Sequence, residues 1–165
     1  MMTLELHWLM LTLHIALGFG GFVLGALALA LPKFGLNSHW HRRIGRLYAG
    51  CMLGMAVLSV PLALAQHDYM LLSIGLLTLG WVAGGWVALR MALGRKHRNR
   101  HTFANLLRAH IMLMGSSYIA AWTAFLVNVQ PLGSGALLFW VYVLGPSVIG
   151  SAFISRATAR VGAPA

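Results

Sequence analysis

The chain has almost no negative charge: two acidic residues, Glu5 and Asp68, stand against twelve Lys and Arg in 165 residues. Both acids lie at the edges of apolar stretches, so the apolar interior holds no carboxylate. That excludes proton-relay acids, di-iron carboxylate sites and paired acid–base carboxylates. A single cysteine, Cys51, excludes an intramolecular disulfide and any Cys-x-x-Cys redox or zinc motif. No glycine-rich loop runs into Lys-Ser/Thr, and no Gly-x-Ser-x-Gly elbow occurs. Charged residues of both signs make up only 8% of the chain, against about 25% in soluble domains.

Apolar sequence takes the place of charge, at 59% of residues. It falls into five stretches, roughly 6–31, 45–65, 69–93, 106–129 and 135–155, each about the 20 residues a helix needs to cross the hydrocarbon core. The breaks carry turn residues: Pro32-Lys33-Phe34-Gly35, Gln66-His67-Asp68, Gly94-Arg95-Lys96 and Gln130-Pro131-Leu132-Gly133. The expected fold is all-α: one polytopic transmembrane helical bundle of five spans with short loops and antiparallel neighbours. No Lys or Arg precedes Lys33, and the first stretch exceeds a signal-peptide h-region, so it is expected to remain as a helix.

Charge placement sets the orientation. Lys33, Arg42, Arg43 and Arg46 lie between spans one and two; Arg90, Arg95, Lys96, Arg98, Arg100 and Arg108 between three and four; Arg156 and Arg160 follow span five. All of the cations therefore share one side of a five-span layout, and Glu5 and Asp68 fall on the other. Basic loops stay cytoplasmic, which predicts an outside N-terminus and an inside C-terminus. The high positive charge is thus a topology signal, directed to anionic lipid headgroups rather than to nucleic acid. A homo-oligomer or a membrane-complex partner is compatible with the same surface.

Small residues mark the packing faces. His14, Gly18, Gly21 and Gly25 fall on one face of span one. Gly50 and Gly54, and Gly80 and Gly84, repeat the small-xxx-small spacing that lets backbones approach. Span four carries a stripe of His110, Met114, Ser117, Ala121 and Asn128, whose polar groups are expected to face protein. Gly145-Pro146 is expected to bend span five.

The ligands available at membrane depth are therefore imidazoles, thioethers and hydroxyls, a set that suits haem iron better than a hard cation. Each histidine has a plainer reading beside that one. His14 either donates to a backbone carbonyl of a neighbouring helix or serves as a ligand. His110 lies one turn inside the basic face, where Arg108 and Arg46 could neutralise an acidic cofactor group. His97 and His101 are four apart, a spacing metals use, but the cations around them favour a solvated, lipid-facing segment. His7 and His67 read as interfacial, and Trp8, Trp40 and Trp140 as aromatic-belt anchors.

The stretch His41-Arg-Arg-Ile-Gly45-Arg46-Leu-Tyr48 opens span two, with Ser38 as a possible cap, and follows a span bearing a mid-membrane histidine. Together with His110-Ile-Met-Leu-Met-Gly115 through Asn128, it resembles a large group of bacterial membrane proteins of unknown function, over most of the chain. The His-x-x-x-Gly-Arg element of residues 41 to 46 also looks like that of transmembrane b-type cytochromes that reduce ferric iron or oxidise ascorbate. That second resemblance implies haem b held between helices by histidine pairs, with electrons crossing the bilayer.

Helical rise places His14 roughly 6 Å outward of the midplane and His110 roughly 13 Å inward. Two axial nitrogens on one iron are about 4 Å apart, so these two cannot share a haem. His110 pairs with His41 or His39 only if the segment before span two folds back, since straight extrapolation leaves His41 roughly 9 Å too deep. Three readings follow. The first is haem-b electron transfer, with His110 and His41 as ligands, Arg46 and Arg108 at the propionates and His14 in a secondary role. The second is a non-enzymatic membrane subunit or assembly partner, and the third a small transporter or lipid-binding protein.

Overall fold

The computed structural model describes residues 3–33, 38–94, 99–129 and 135–161. Among them are five α-helices and no strand: α1 (Leu4–Ala30), α2 (Ser38–Ala65), α3 (Tyr69–Leu93), α4 (Arg100–Val129) and α5 (Ala136–Ala159). All five are long and apolar enough to cross a membrane, and the chain is an all-α, multi-pass membrane protein. The Gln130–Gly133 break, the loop cations Arg95, Lys96 and Arg98, and His97 lie outside the described residues.

Apolar content located the spans, but hydrogen bonding decides where the helices begin. Thr3 caps α1 by accepting from the Leu6 amide at 3.4 Å, with Glu5 in the first turn against the positive helix end. α4 starts at Arg100 rather than near 106, because Asn99 caps it: its Oδ1 accepts from the His101 amide at 3.2 Å. α2 starts at Ser38 rather than near 45, so the basic stretch 39–48 forms its opening turns and Ser38 is a helical residue, not a cap ahead of the span. His, Trp and Arg tolerate a helix well, and no proline interrupts them. Pro61 and Pro146 sit inside α2 and α5, which run through them.

Two compact units divide the chain, Met1–Leu79 and Gly80–Ala165. In the first, α1 and α2 are antiparallel: partners on α2 fall in number as α1 ascends, from His14 with Met55 to His41 with Ala28. The face read from the sequence is the packed one, with Gly18, Gly21 and Gly25 buried. A side chain at Gly18 would begin 3.2 Å from Met55 Sδ, and one at Gly54 would begin 2.9 Å from Leu17 Cδ1. Close backbone approach of this kind is how helices associate in lipid, where burial of apolar area gives no driving force.

The join between α2 and α3 is tight. His67 has a φ of 54°, the left-handed conformation that ends many helices. Its amide bonds to the Leu64 carbonyl at 3.2 Å and the Asp68 amide to that of Ala63 at 3.0 Å. Asp68 then caps α3, with Oδ1 accepting from the Leu71 amide at 2.9 Å.

In the second unit α4 and α5 are also antiparallel and reciprocal. Ile154 of α5 fills the space over Gly115, and Ile119 of α4 fills that over Gly150. α5 has no buried residue and turns Leu137, Trp140, Val148 and Phe153 outward, an apolar surface suited to acyl chains rather than water.

The packing expectations held in part. Gly54 and Gly84 meet side chains of neighbouring helices, but nothing lies within 4 Å of a Cβ placed at Gly50 or Gly80. On α4, Ser117 is fully buried and Ala121 nearly so. Asn128 instead is exposed and donates to its own helix at Ala124 O, 2.8 Å away.

Candidate functional site

Three of the histidines singled out in the sequence make the same kind of bond. His14 Nδ1 lies 3.0 Å from the Met55 carbonyl oxygen, His41 Nδ1 3.0 Å from that of Ala28, and His110 Nδ1 2.9 Å from that of Gly85. A carbonyl oxygen only accepts, so Nδ1 carries the proton in each ring. The neutral ring then has its lone pair at Nε2, the tautomer and orientation seen in metal-ligating histidines.

His14 and His110 use mid-helix carbonyls on the adjacent helix. Among the described residues Nε2 of these two rings has no hydrogen-bond partner. Both rings are half-buried. His110 reaches its acceptor because Gly85 has no side chain to hold α4 away. A Cβ there would begin 2.9 Å from Met114 Sδ and 3.4 Å from Leu113 Cβ. Imidazole and thioether, one turn apart on α4, thus converge on a single glycine of α3.

His41 has a different task. The Ala28 carbonyl near the end of α1 would ordinarily accept from residue 32, but that residue is Pro32 and has no amide hydrogen. His41 supplies the missing donor, while Lys33 Nζ donates to the carbonyls of Leu29 at 2.8 Å and Leu31 at 3.3 Å. Two residues of the basic segment therefore close the C-terminal end of α1, where positive groups are also favoured by the helix dipole.

The arginines separate in the same way. Arg46 is exposed on α2. Arg108 reaches the end of α5, with Nη2 donating to the Val161 carbonyl at 2.8 Å and Nη1 to Asn105 Oδ1 at 3.4 Å. Among the described residues, three of the five guanidinium hydrogens remain for a carboxylate or phosphate. His101 is exposed at the start of α4, and its pairing with His97 lies outside the described residues.

His41 and Arg46 belong to the first unit and His110 and Arg108 to the second. Among the described residues no group of three or more His, Cys, Asp and Glu could hold a metal ion. Sequence reasoning missed the helix-end role of His41 and the Arg108–Val161 tie. The first had a signal in the proline four residues beyond Ala28; the second had none. No protein-family model, curated protein or solved structure matches the chain.

Proposed function

We propose that the protein binds haem b in a bacterial cytoplasmic membrane and carries electrons there, with His110 supplying an axial nitrogen. The observation that carries this reading is the His110 ring: Nδ1–H fixed on the Gly85 carbonyl, Nε2 without a partner among the described residues. A haem suits a site with few protein ligands, because the macrocycle brings four nitrogens and asks only one or two of the chain. A bare cation would need more donors than the described His, Cys, Asp and Glu groups supply.

Bound haem would supply one-electron chemistry, and the chain's own residues would set its conditions. The Gly85 carbonyl polarises the ring and raises the basicity of Nε2. Met114, packed over the same Gly85, would limit water on that side of the ring. Arg108, two residues away in sequence, retains hydrogens able to meet a propionate. His14, held on Met55 in the same tautomer, is a second candidate ligand.

The layout that goes with this reading has the N-terminus outside and the C-terminus inside, with anionic headgroups at the basic face; the one-sided distribution of cations supports it. The test is the spectrum of protein purified from haem-replete cells. A reduced-minus-oxidised difference with Soret and alpha bands is expected, at one haem or more per chain. Colourless protein would end the proposal.

A further inference from the structure

The first turns of α2 carry three cations without counterions. Arg42, Arg43 and Arg46 are exposed. Among the described residues no hydrogen bond or ion pair engages any of the three, and Arg43 instead lies 5.9 Å over the Trp40 ring. No acid of the chain is near them, because Glu5 and Asp68 stand at the starts of α1 and α3, the far end of the antiparallel α1–α2 pair. The haem reading, carried by the second unit, uses none of the three.

We propose that these arginines bind one phospholipid whose headgroup carries two phosphates bridged by a single glycerol. Helical geometry sets the number of phosphates. Arg42 and Arg43 are about 100° apart around α2, and Arg46, one turn on, falls between them. It neighbours both, with Cβ atoms about 5–6 Å away. Two gaps between guanidiniums therefore flank Arg46, each suited to one phosphate held bidentately. A headgroup with one phosphate fills one gap and leaves a cation unpaired. When two phosphates are joined, the second binds intramolecularly once the first is in place.

The same face continues toward the membrane interior as a bed for acyl chains. Gly50, one turn from Arg46, has nothing within 4 Å of its Cβ position, so a chain can lie against the helix backbone there. Leu47 and Val57 are 60% and 55% exposed beside it, while Tyr48, Met52 and Ala56 are buried on the other side of the helix. Trp40, also exposed, stands with the arginines at headgroup level, where an indole ring is favoured. A soluble polyphosphate would engage the arginines and gain nothing from Leu47, Gly50 and Val57. The occupant that uses the whole face is a lipid.

This narrows the anionic-headgroup surface of the layout above to one site, and it rests on that layout only in placing the chain in a bilayer. The experiment is native mass spectrometry of the full-length protein in mild detergent. The probes are tetraoleoyl diphosphatidylglycerol, dioleoyl phosphatidylglycerol at twice the concentration, and inorganic pyrophosphate. One diphosphate lipid per chain is expected, held at least about tenfold more tightly than phosphatidylglycerol and not displaced by pyrophosphate. Arg42→Gln and Arg43→Gln should each lose about fivefold in affinity and Arg46→Gln more, with the triple variant losing on the order of a hundredfold. Should the triple variant fail to fold, the ranking of the single variants carries the test. Arg156→Gln/Arg160→Gln, which removes two exposed cations from α5 and its end, should bind as wild type does. Equal retention of the two lipids overturns the site, as does displacement by pyrophosphate, which would assign the arginines to a soluble anion. An equal loss in the Arg156/Arg160 variant overturns it too, by showing diffuse attraction. The haem spectrum and the sidedness of the loops are read by other measurements, so their failure and the failure of this site are told apart.

Discussion

His41 gives its Nδ1 proton to the carbonyl of Ala28, the acceptor that Pro32 deprives of a helical donor. The bond closes the end of α1 from the first turn of the next helix, and it assigns a structural duty to the best-conspicuous histidine of the basic segment. In an environment poor in water, an orphaned carbonyl is expensive, so removing one partner costs more than a typical hydrogen bond contributes.

His41→Ala is therefore expected to destabilise the protein by about 1–3 kcal/mol. In a Pro32→Ala background, where residue 32 regains its amide hydrogen, the loss should shrink. A double-mutant cycle of thermal or steric-trapping stabilities in detergent measures the coupling. Additive losses would show that the two residues do not share the Ala28 carbonyl.

His67 holds a backbone conformation that costs an L-residue about 1 kcal/mol or more relative to glycine. The side chain is exposed and makes no hydrogen bond among the described residues. His67→Gly should accordingly raise stability by about 1 kcal/mol, read as a higher thermal midpoint. A lower midpoint would mean that the imidazole itself contributes at the membrane surface.

Glycines that look alike in sequence should respond oppositely. Gly50→Ala and Gly80→Ala meet open space, so they should be neutral or stabilising by up to about 1 kcal/mol. Gly54→Ala presses on the end of Leu17 and Gly85→Ala on Sδ and Cγ of Met114, and each should cost up to about 1–3 kcal/mol. Gly85→Ala should also pull His110 from its carbonyl and weaken haem retention beyond what the stability loss explains. Equal effects at all four positions would contradict the packing.

These contrasts show where the sequence was legible. Span positions could be read because some twenty apolar residues in a row admit few alternatives, and the inward face of α1 because His14, Gly18, Gly21 and Gly25 share one side of a helix. Spacing alone could not say that Gly54 meets a neighbour while Gly50 does not, since that depends on where the partner helix crosses. Nor could hydropathy see that α2 and α4 begin in charged sequence, at Ser38 and Arg100. Helix starts are decided by caps such as Asn99, not by apolarity. The histidine tautomers were out of reach altogether, because they follow from which carbonyl of another helix each ring meets.

Orientation can be read by labelling. In a Cys51→Ser background, a cysteine introduced by His67→Cys should react with a membrane-impermeant maleimide from outside intact cells. One introduced by Arg42→Cys should react only after permeabilisation. The reverse pattern, or equal labelling, would contradict an outside N-terminus and the cytoplasmic basic face.

The central claim is that the Nε2 of His110 ligates haem iron. Its most direct test is the spectrum of a His110→Gly variant before and after adding imidazole. Loss of the wild-type haem spectrum, and its return when free imidazole fills the vacated place, is the predicted result. A variant whose haem content and spectrum match wild type without imidazole would contradict the account.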